Sequence, residues 1–220
     1  AIGGGTGLST LLRGLRRHVT VPGHPTSDNA QISDLAAVVT VTDDGGSSGR
    51  LRKDFNMLPP GDLRNCMVAL SEEGDLLSRL FAHRFRAGDS LEGPNFGTLF
   101  VAALTELTGD FAHAIQLASK ILATRGRIYP VTTANATLVA RMTDGTEVRG
   151  ETSITASRKS IAELTLDPPD AAALPETLEA LERAALITVG PGSLYTSLVT
   201  NLLVQGIPSE KAKQVVALIK

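Results

Sequence analysis

The chain has 220 residues, of which 42% are hydrophobic, and a formal net charge of −2; this composition suits one large domain with a substantial core. The near-neutral charge gives no long-range attraction to nucleic acid or anionic lipid, and 4% aromatic residues without tryptophan disfavour a stacking surface for single-stranded nucleic acid. The single cysteine, Cys66, excludes an internal disulfide and a cysteine-rich zinc site.

The first part of the chain predicts strand–helix units with glycine at each junction. A strand ends at Ile2 and runs into the glycine-rich segment 3–9, which is followed by a helix to about residue 17. Residues 19–34 contain proline and glycine and predict a loop. Residues 35–42 are continuously apolar and rich in β-branched side chains, which is typical of a parallel strand buried on both faces. This strand ends at a second glycine-rich segment, 43–49.

The rest of the chain predicts helices, then short strands, then a further strand–helix unit. Helices are expected at about 63–72, 76–85, 95–107, 111–124 and 175–183. Strands are expected at 129–132, 136–142, 147–154, 161–166, 186–189 and 214–219. The turn at 143–146 predicts a hairpin between two of these strands. The third glycine-rich junction, Gly190 to Ser193, follows the strand at 186–189.

This alternation predicts an α/β fold, with a doubly wound, mostly parallel sheet and a small antiparallel β insertion at about 128–167. We expect one domain over residues 1–220. Ligands in such folds bind beyond the carboxyl ends of the strands, at a switch point. The strands that end at Ile2, Thr42 and Val189 are therefore predicted to be neighbours, so that the three glycine-rich junctions converge.

The first and third junctions have the sequence of anion cradles. Glycine allows close approach of the backbone to a ligand, and the following helix presents free N–H groups and the positive end of its dipole. The first junction lacks the Gly-Lys-Ser/Thr of nucleoside triphosphatases, and Thr10 stands where a dinucleotide fingerprint has its third glycine. The alternative for each junction is a tight turn without a ligand.

Charged residues follow the second predicted strand. Asp43 and Asp44 suit hydrogen bonds from ribose or sugar hydroxyls, or a Mg²⁺ ion, although turn formation and helix capping also use such residues. Arg50 and Arg52 offer planar donors for phosphate, and a solvated helix face is an equal alternative for Arg52. Asp62, next to Arg64 and Asn65, is a candidate helix cap as well as a ligand contact.

Three long motifs resemble the bacterial gluconeogenesis-factor family, the YvcK-like branch of the CofD-like superfamily. They are Ile2–Leu15, Val39–Arg52 and Leu58–Cys66, and the resemblance continues through residues 103–111 and 190–197. It implies a Rossmann-like fold and a cytoplasmic protein that is needed for normal cell shape and wall synthesis on gluconeogenic carbon sources. It also implies binding of a nucleotide sugar of the UDP-N-acetylglucosamine type, without an established reaction.

The sister branch of the superfamily is 2-phospho-L-lactate transferase, which transfers a phospholactyl group from a guanylyl donor to a deazaflavin alcohol with Mg²⁺. This chain departs from the family at Thr98, where an asparagine is usual, and at 21–31, which has the character of an insertion. The final third of the family pattern is absent. We therefore expect a piece of a longer protein, with part of the ligand pocket outside it.

Two functions remain open from the sequence: a non-catalytic nucleotide-sugar sensor, and a phosphotransferase of the 2-phospho-L-lactate class. The sensor is preferred because the transferase branch carries Gly-Pro-Ser-Asn where this chain has Gly190-Pro191-Gly192-Ser193. Mg²⁺, held by Asp43 and Asp44, is expected only for the transferase, and no catalytic residue is assigned. We expect no nucleic-acid partner and no membrane span, and the sequence is compatible with a homo-oligomer. The candidate ligand-binding residues are Gly3, Gly4, Gly5, Thr6, Gly7, Leu8, Ser9, Asp43, Asp44, Gly45, Gly46, Ser47, Arg50, Asp62, Arg64, Asn65, Gly190, Pro191, Gly192 and Ser193.

Overall fold

The computed structural model describes residues 1–20, 32–55, 57–71, 76–85, 95–207 and 215–218. The expected insertion at 21–31 lies outside these residues. The strands are β1 Ile2–Gly3, β2 Ala36–Val39, β3 Arg127–Pro130, β4 Thr137–Met142, β5 Glu147–Arg149, β6 Ile161–Asp167, β7 Ile187–Val189 and β8 Val215–Leu218. The helices are α1 Gly5–Leu15, α2 Gly46–Asp54, α3 Gly61–Leu70, α4 Leu76–Ala82, α5 Phe96–Thr108, α6 Phe111–Ile121, α7 Glu151–Ser157, α8 Pro175–Arg183 and α9 Thr200–Leu202.

The main sheet is parallel and has the strand order β3-β2-β1-β7-β8. Strand β1 lies between β2 and β7, because Ile2 is in register with both Val38 and Val189. The α/β fold class and the neighbouring position of the three strands are therefore confirmed. Each of these strands ends at the same edge of the sheet, and each is followed there by a glycine-rich junction.

A second, three-stranded antiparallel sheet has the order β5-β4-β6. The predicted hairpin at 143–146 joins β4 and β5. The predicted strand 147–154 is wrong beyond Arg149, because Gly150 has a φ of +89° and turns the chain into α7. Strand β3, which the expected insertion boundary included, pairs with β2 in the parallel sheet. The small sheet itself extends over residues 137–167.

Several helix boundaries also differ from the prediction: α4 and α6 end three residues early, at Ala82 and Ile121, and the starts of α1 and α2 differ as well. Helix α1 begins at Gly5, so that the second half of the first glycine-rich segment forms its first turns. Helix α2 begins at Gly46, within a segment that its glycines predicted as a loop. Glycine lowers helix propensity by about 1 kcal/mol, and tertiary contacts outweigh that cost. An alanine at position 49 would bring its Cβ within 2.1 Å of the Asp44 carbonyl oxygen, so the tight start of α2 requires glycine.

The core lies between the parallel sheet and its helices. Helix α1 packs against α3, and α5 packs against α6. Leu8 and Leu12, one turn apart on α1, are fully buried together with Leu63 and Met67 of α3. Each buried side chain of this size contributes about 1.5–3 kcal/mol. No helix within the described ranges is long and apolar enough to cross a membrane.

The first and third glycine-rich junctions are in direct backbone contact. A Cβ on Gly7 would lie only 1.7 Å from the Pro191 carbonyl oxygen, so the helix can approach the loop only without a side chain there. The N–H of Gly190 donates a hydrogen bond of 2.8 Å to the Ile2 carbonyl, which extends the β1–β7 pairing into the junction. The relative position of the two junctions is thus determined by backbone atoms.

We expect Gly7→Ala to lower the free energy of unfolding by about 1–3 kcal/mol, because the new methyl group overlaps a backbone atom. Gly14→Ala is the matched control on the same helix, since a Cβ at Gly14 meets nothing within 4 Å. That control should stabilise the protein by about 0.5–1 kcal/mol. Urea unfolding of both variants tests the contact, and equal effects of the two substitutions would refute it.

Candidate functional site

The amino end of α1 forms one wall of the candidate site. Gly4 is the N-cap residue and is extended, and a Cβ there would lie 2.3 Å from Thr40 Cγ2. Gly5 has a φ of +62°, and the space beside its Cα is open to a distance of 4 Å. Thr6 is exposed in the first turn, where backbone N–H groups have no acceptor within the helix. This end of α1 therefore combines an open backbone surface at Gly5 with the backbone N–H groups of the first turn.

Two residues of the same segment face inward. Leu8 is fully buried and packs against Gly3 and Gly190. The Ser9 hydroxyl donates a hydrogen bond of 2.9 Å to the Thr6 carbonyl. Both side chains belong to the packing of α1, and the surface available to a ligand is formed by Gly5 and Thr6.

Asp62 places a carboxylate at the amino end of α1. It lies in the first turn of α3, and its Oδ2 accepts a hydrogen bond of 2.6 Å from the Gly5 N–H. Burial raises the pKa of Asp62 from 3.8 to about 6, the Gly5 hydrogen bond opposes that rise, and the negative charge of Asp43 adds to it. Asp62 was predicted to cap the helix that follows it, and that prediction is wrong, because its carboxylate caps the amino end of α1 instead.

The third junction forms the opposite wall. Gly192 and Ser193 are exposed, and Pro191 is partly buried against Gly7. The Ser193 side chain accepts a hydrogen bond of 3.4 Å from the Thr196 N–H and caps a π-helical turn at Leu194–Val199. The predicted cradle at Gly190 to Ser193 is therefore followed by helical structure, as its sequence indicated, but the first turn is π-helical and wider than a turn of α-helix.

Asp43 and Asp44 have different surroundings. Asp43 Oδ1 accepts a hydrogen bond of 2.9 Å from the Gly45 N–H, which forms the turn before α2. Asp44 Oδ1 accepts two hydrogen bonds from Thr152, 2.9 Å from its backbone N–H and 2.7 Å from its hydroxyl. Gly150 allows this approach, because a Cβ there would lie 2.1 Å from Asp44 Oδ2. Asp44 thus caps α7 across a long sequence separation.

Glu151 is a site residue that the sequence analysis missed. It is the first residue of α7, and the Thr196 hydroxyl hydrogen-bonds to its carboxylate. Burial raises the pKa of Glu151 from 4.5 to about 7, with further increases from the charges of Asp43, Asp62 and Asp44. The segment was interpreted as a strand, which would have pointed Glu151 elsewhere. Gly150, which ends β5, was the available signal for a helix start at this position.

The predicted arginine and asparagine residues lie next to the four acids Asp43, Asp44, Asp62 and Glu151 or on the helices that carry or follow them. Arg64 donates a hydrogen bond to Asn65 Oδ1, and burial lowers the pKa of Arg64 to about 10. Arg50 is exposed on α2. Arg52 hydrogen-bonds to Asn135 Oδ1 and to the Ala136 carbonyl, each at 2.7 Å, and joins α2 to the start of β4. Gly46 has a φ of +49° and open space beside it, while the Ser47 side chain lies outside the described part of the structure.

The predicted Mg²⁺ ligands, Asp43 and Asp44, accept hydrogen bonds within the protein. Asp44 is engaged by Thr152, and Asp43 forms its own turn. Among the residues that the structure describes, no three His, Cys, Asp or Glu side chains are placed to hold one metal ion. Mg²⁺ is commonly held by one or two carboxylates together with waters and phosphate oxygens, so the Mg²⁺ role of Asp43 and Asp44 stays a prediction.

Comparison with known proteins gives a family assignment for nearly the whole chain. The family model described as 2-phospho-L-lactate transferase CofD matches residues 1–219. The chain belongs to the CofD family. It is 50% identical to the putative gluconeogenesis factor of Thermotoga maritima over 219 residues, which are 98% of this chain and 65% of that protein. It is 47% identical to the gluconeogenesis factor of Bacillus subtilis, over 96% of this chain and 62% of the relative.

A solved structure has the same fold. The crystal structure of a protein member of the upf0052 family from Bacillus halodurans superposes with a TM-score of 0.86 at 49% sequence identity. The match covers 98% of this chain and 65% of that one. This chain thus spans less than two thirds of the length of these relatives. The predicted resemblance to the gluconeogenesis-factor branch is confirmed.

We expect Asp62→Asn to stabilise the protein at about pH 8 by about 1–3 kcal/mol. The folded-state pKa of Asp62, about 6, lies above its unfolded value of 3.8. Ionisation of this side chain therefore lowers the stability of the fold as the pH rises from about 4 through 6. The asparagine oxygen can still accept the Gly5 N–H. The advantage of the variant should therefore shrink as the pH falls from about 8 to 4.

The control for this measurement is Asp144→Asn. Hydrogen bonds from Lys159 and Thr146 lower the pKa of Asp144, so the same substitution there should reduce stability at about pH 8. Thermal unfolding of both variants across the pH range provides the test. A loss of stability in Asp62→Asn at about pH 8 would contradict the inference that the buried, ionised carboxylate of Asp62 destabilises the fold.

Proposed function

We propose that this protein binds a nucleotide sugar of the UDP-N-acetylglucosamine type and acts as a cytoplasmic regulatory protein in cell shape and wall synthesis during gluconeogenic growth. The general assignment rests on the CofD family and on relatives named gluconeogenesis factor. The observation that carries the proposal is the backbone contact between the first and third glycine-rich junctions. It holds the two junctions, with Gly5 in the first and Gly192 in the third, at the edge of the sheet where parallel sheets bind ligands.

The backbone at Gly5 supports binding of a diphosphate. Its flank is open, the adjacent amides of Thr6 and Gly7 lie in the first turn of α1, and the helix dipole favours negative charge there. Gly192 and Ser193, exposed on the facing loop, add a second backbone surface. A diphosphate bridge can thus be held by backbone donors.

The acidic residues imply that binding depends on protonation. Asp62 and Glu151 have pKa values of about 6 and about 7, so both carry negative charge above neutral pH and repel a diphosphate. Protonation of either residue removes that repulsion. A nucleotide sugar has no titrating group between about pH 5 and 8, so any change of affinity in this range belongs to the protein.

We expect Gly5→Ala to reduce the affinity for UDP-N-acetylglucosamine at least about ten-fold, because a methyl group would stand on the surface that a phosphate approaches. Gly145→Ala is the matched control, since Gly145 also has a positive φ and open space but lies in the hairpin turn. Both variants carry about 1–2 kcal/mol of backbone strain. Calorimetry should find weaker binding only in Gly5→Ala, and unchanged affinity would mean that the first junction is only a turn.

We expect the affinity for UDP-N-acetylglucosamine to rise several-fold as the pH falls from about 8 to 6, without a metal requirement. Glu151→Gln should bind more tightly at about pH 8 and should show a weaker pH dependence. Affinity that instead rises with pH and requires Mg²⁺ would favour the transferase, since ionised carboxylates hold metal. Mg²⁺-dependent release of GMP from a phospholactyl-guanylyl donor would establish that alternative.

A further inference from the structure

A cleft of about 830 Å³ opens beside the candidate site. It lies between the turn that joins α5 to α6, the first residues of α8, the loop after β3, and the residues Phe55, Met57 and Leu58. None of the candidate ligand-binding residues lines it. Its size is sufficient for a small ligand or for a large part of one.

The cleft and the glycine-rich junctions share one edge of the parallel sheet. The loop after β3 follows the carboxyl end of that strand, which neighbours β2. Leu58 lines the cleft and precedes Asp62, which contacts Gly5, by only four positions. Four extended residues span at most about 14 Å. Arg52, which hydrogen-bonds to Asn135 in the cleft wall, belongs to the helix that follows Asp43 and Asp44.

The lining has an apolar floor and a polar rim. Met57, Leu58 and Phe111 are buried at the floor. Glu106 from α5 and Glu176 from α8 are exposed on different walls, and the half-buried Gln116 adds its amide. Asp110 and His113, at the start of α6, also line the cleft, and none of the described lining residues is lysine or arginine. Carboxylate and amide oxygens accept hydrogen bonds from hydroxyl groups, whereas carboxylates repel phosphate.

We propose that this cleft is the subsite for the uncharged, hydroxyl-rich part of the ligand whose phosphates lie at the glycine-rich junctions. The inference rests on the proposed function. It assigns the phosphates of the ligand to the glycine-rich junctions and its sugar to the cleft. The junctions supply backbone donors for negative charge. The cleft supplies acceptors for hydroxyl groups and an apolar surface for the C–H face of a sugar ring. Glu106 and Glu176 are the specificity-determining residues of this subsite.

The test compares two probes, UDP and UDP-N-acetylglucosamine, on the double variant Glu106→Gln/Glu176→Gln. Both side chains are exposed, so the fold should not change. We expect the affinity for UDP-N-acetylglucosamine to fall about ten-fold, as expected for loss of charge-assisted hydrogen bonds, while the affinity for UDP stays within about two-fold. Glu179→Gln, on the same helix as Glu176 and outside the cleft, is the control and should change neither affinity.

A second variant blocks the cleft sterically. Thr133 is exposed in the cleft wall, and Thr133→Trp should weaken binding of UDP-N-acetylglucosamine but not of UDP. Wild-type affinity for both probes in both variants would overturn the subsite and leave the proposed function intact. Equal loss of both probes in both variants would also overturn it, because the cleft would then not distinguish the sugar. Failure of the wild-type protein to bind either probe would refute the proposed function itself.

Discussion

The approach of Gly7 to the Pro191 carbonyl is the constraint on which the edge of this sheet depends. Strand β1 is central, and the loops that follow β1 and β7 can meet only because residue 7 has no side chain. Their contact holds the amino end of α1 beside the third junction. Hydrophobic burial of α1 against α3 stabilises the layer as a whole, but it would tolerate a small shift of the helix. The backbone contact does not.

Electrostatics at this edge result from a conflict between two physical effects. The amino end of α1 favours negative charge, and the Gly5 N–H donates to Asp62. Burial disfavours negative charge at Asp62 and Glu151, and the nearby charge of Asp43 increases the cost for both, so the pKa values of Asp62 and Glu151 are raised. Desolvation is the larger effect for both residues. The site therefore lies near its own titration range at neutral pH.

The insertion that contains the small antiparallel sheet is joined to the site by hydrogen bonds of Asp44 and of Arg52. Asp44, at the end of the β2 segment, caps α7 through Thr152 and so holds Glu151 against Thr196. On the other side, Arg52 joins α2 to Asn135 and to the start of β4. These contacts attach the insertion to the parallel sheet at two points. The Arg52 contact also connects the helix that follows the second junction to Asn135 in the cleft wall.

The sequence by itself determined the parallel sheet, the neighbouring positions of its three junctions, and the family, because buried β-branched strands and glycine-rich motifs are local patterns. It also identified Asp43, Asp44 and Asp62 as functional or capping residues without deciding between the roles. Only the tertiary structure showed that Asp44 caps α7, that Asp62 serves α1, and that Glu151 enters the site, because each contact joins segments far apart in the chain. The role of a carboxylate depends on which distant N–H group reaches it, and no local pattern records that.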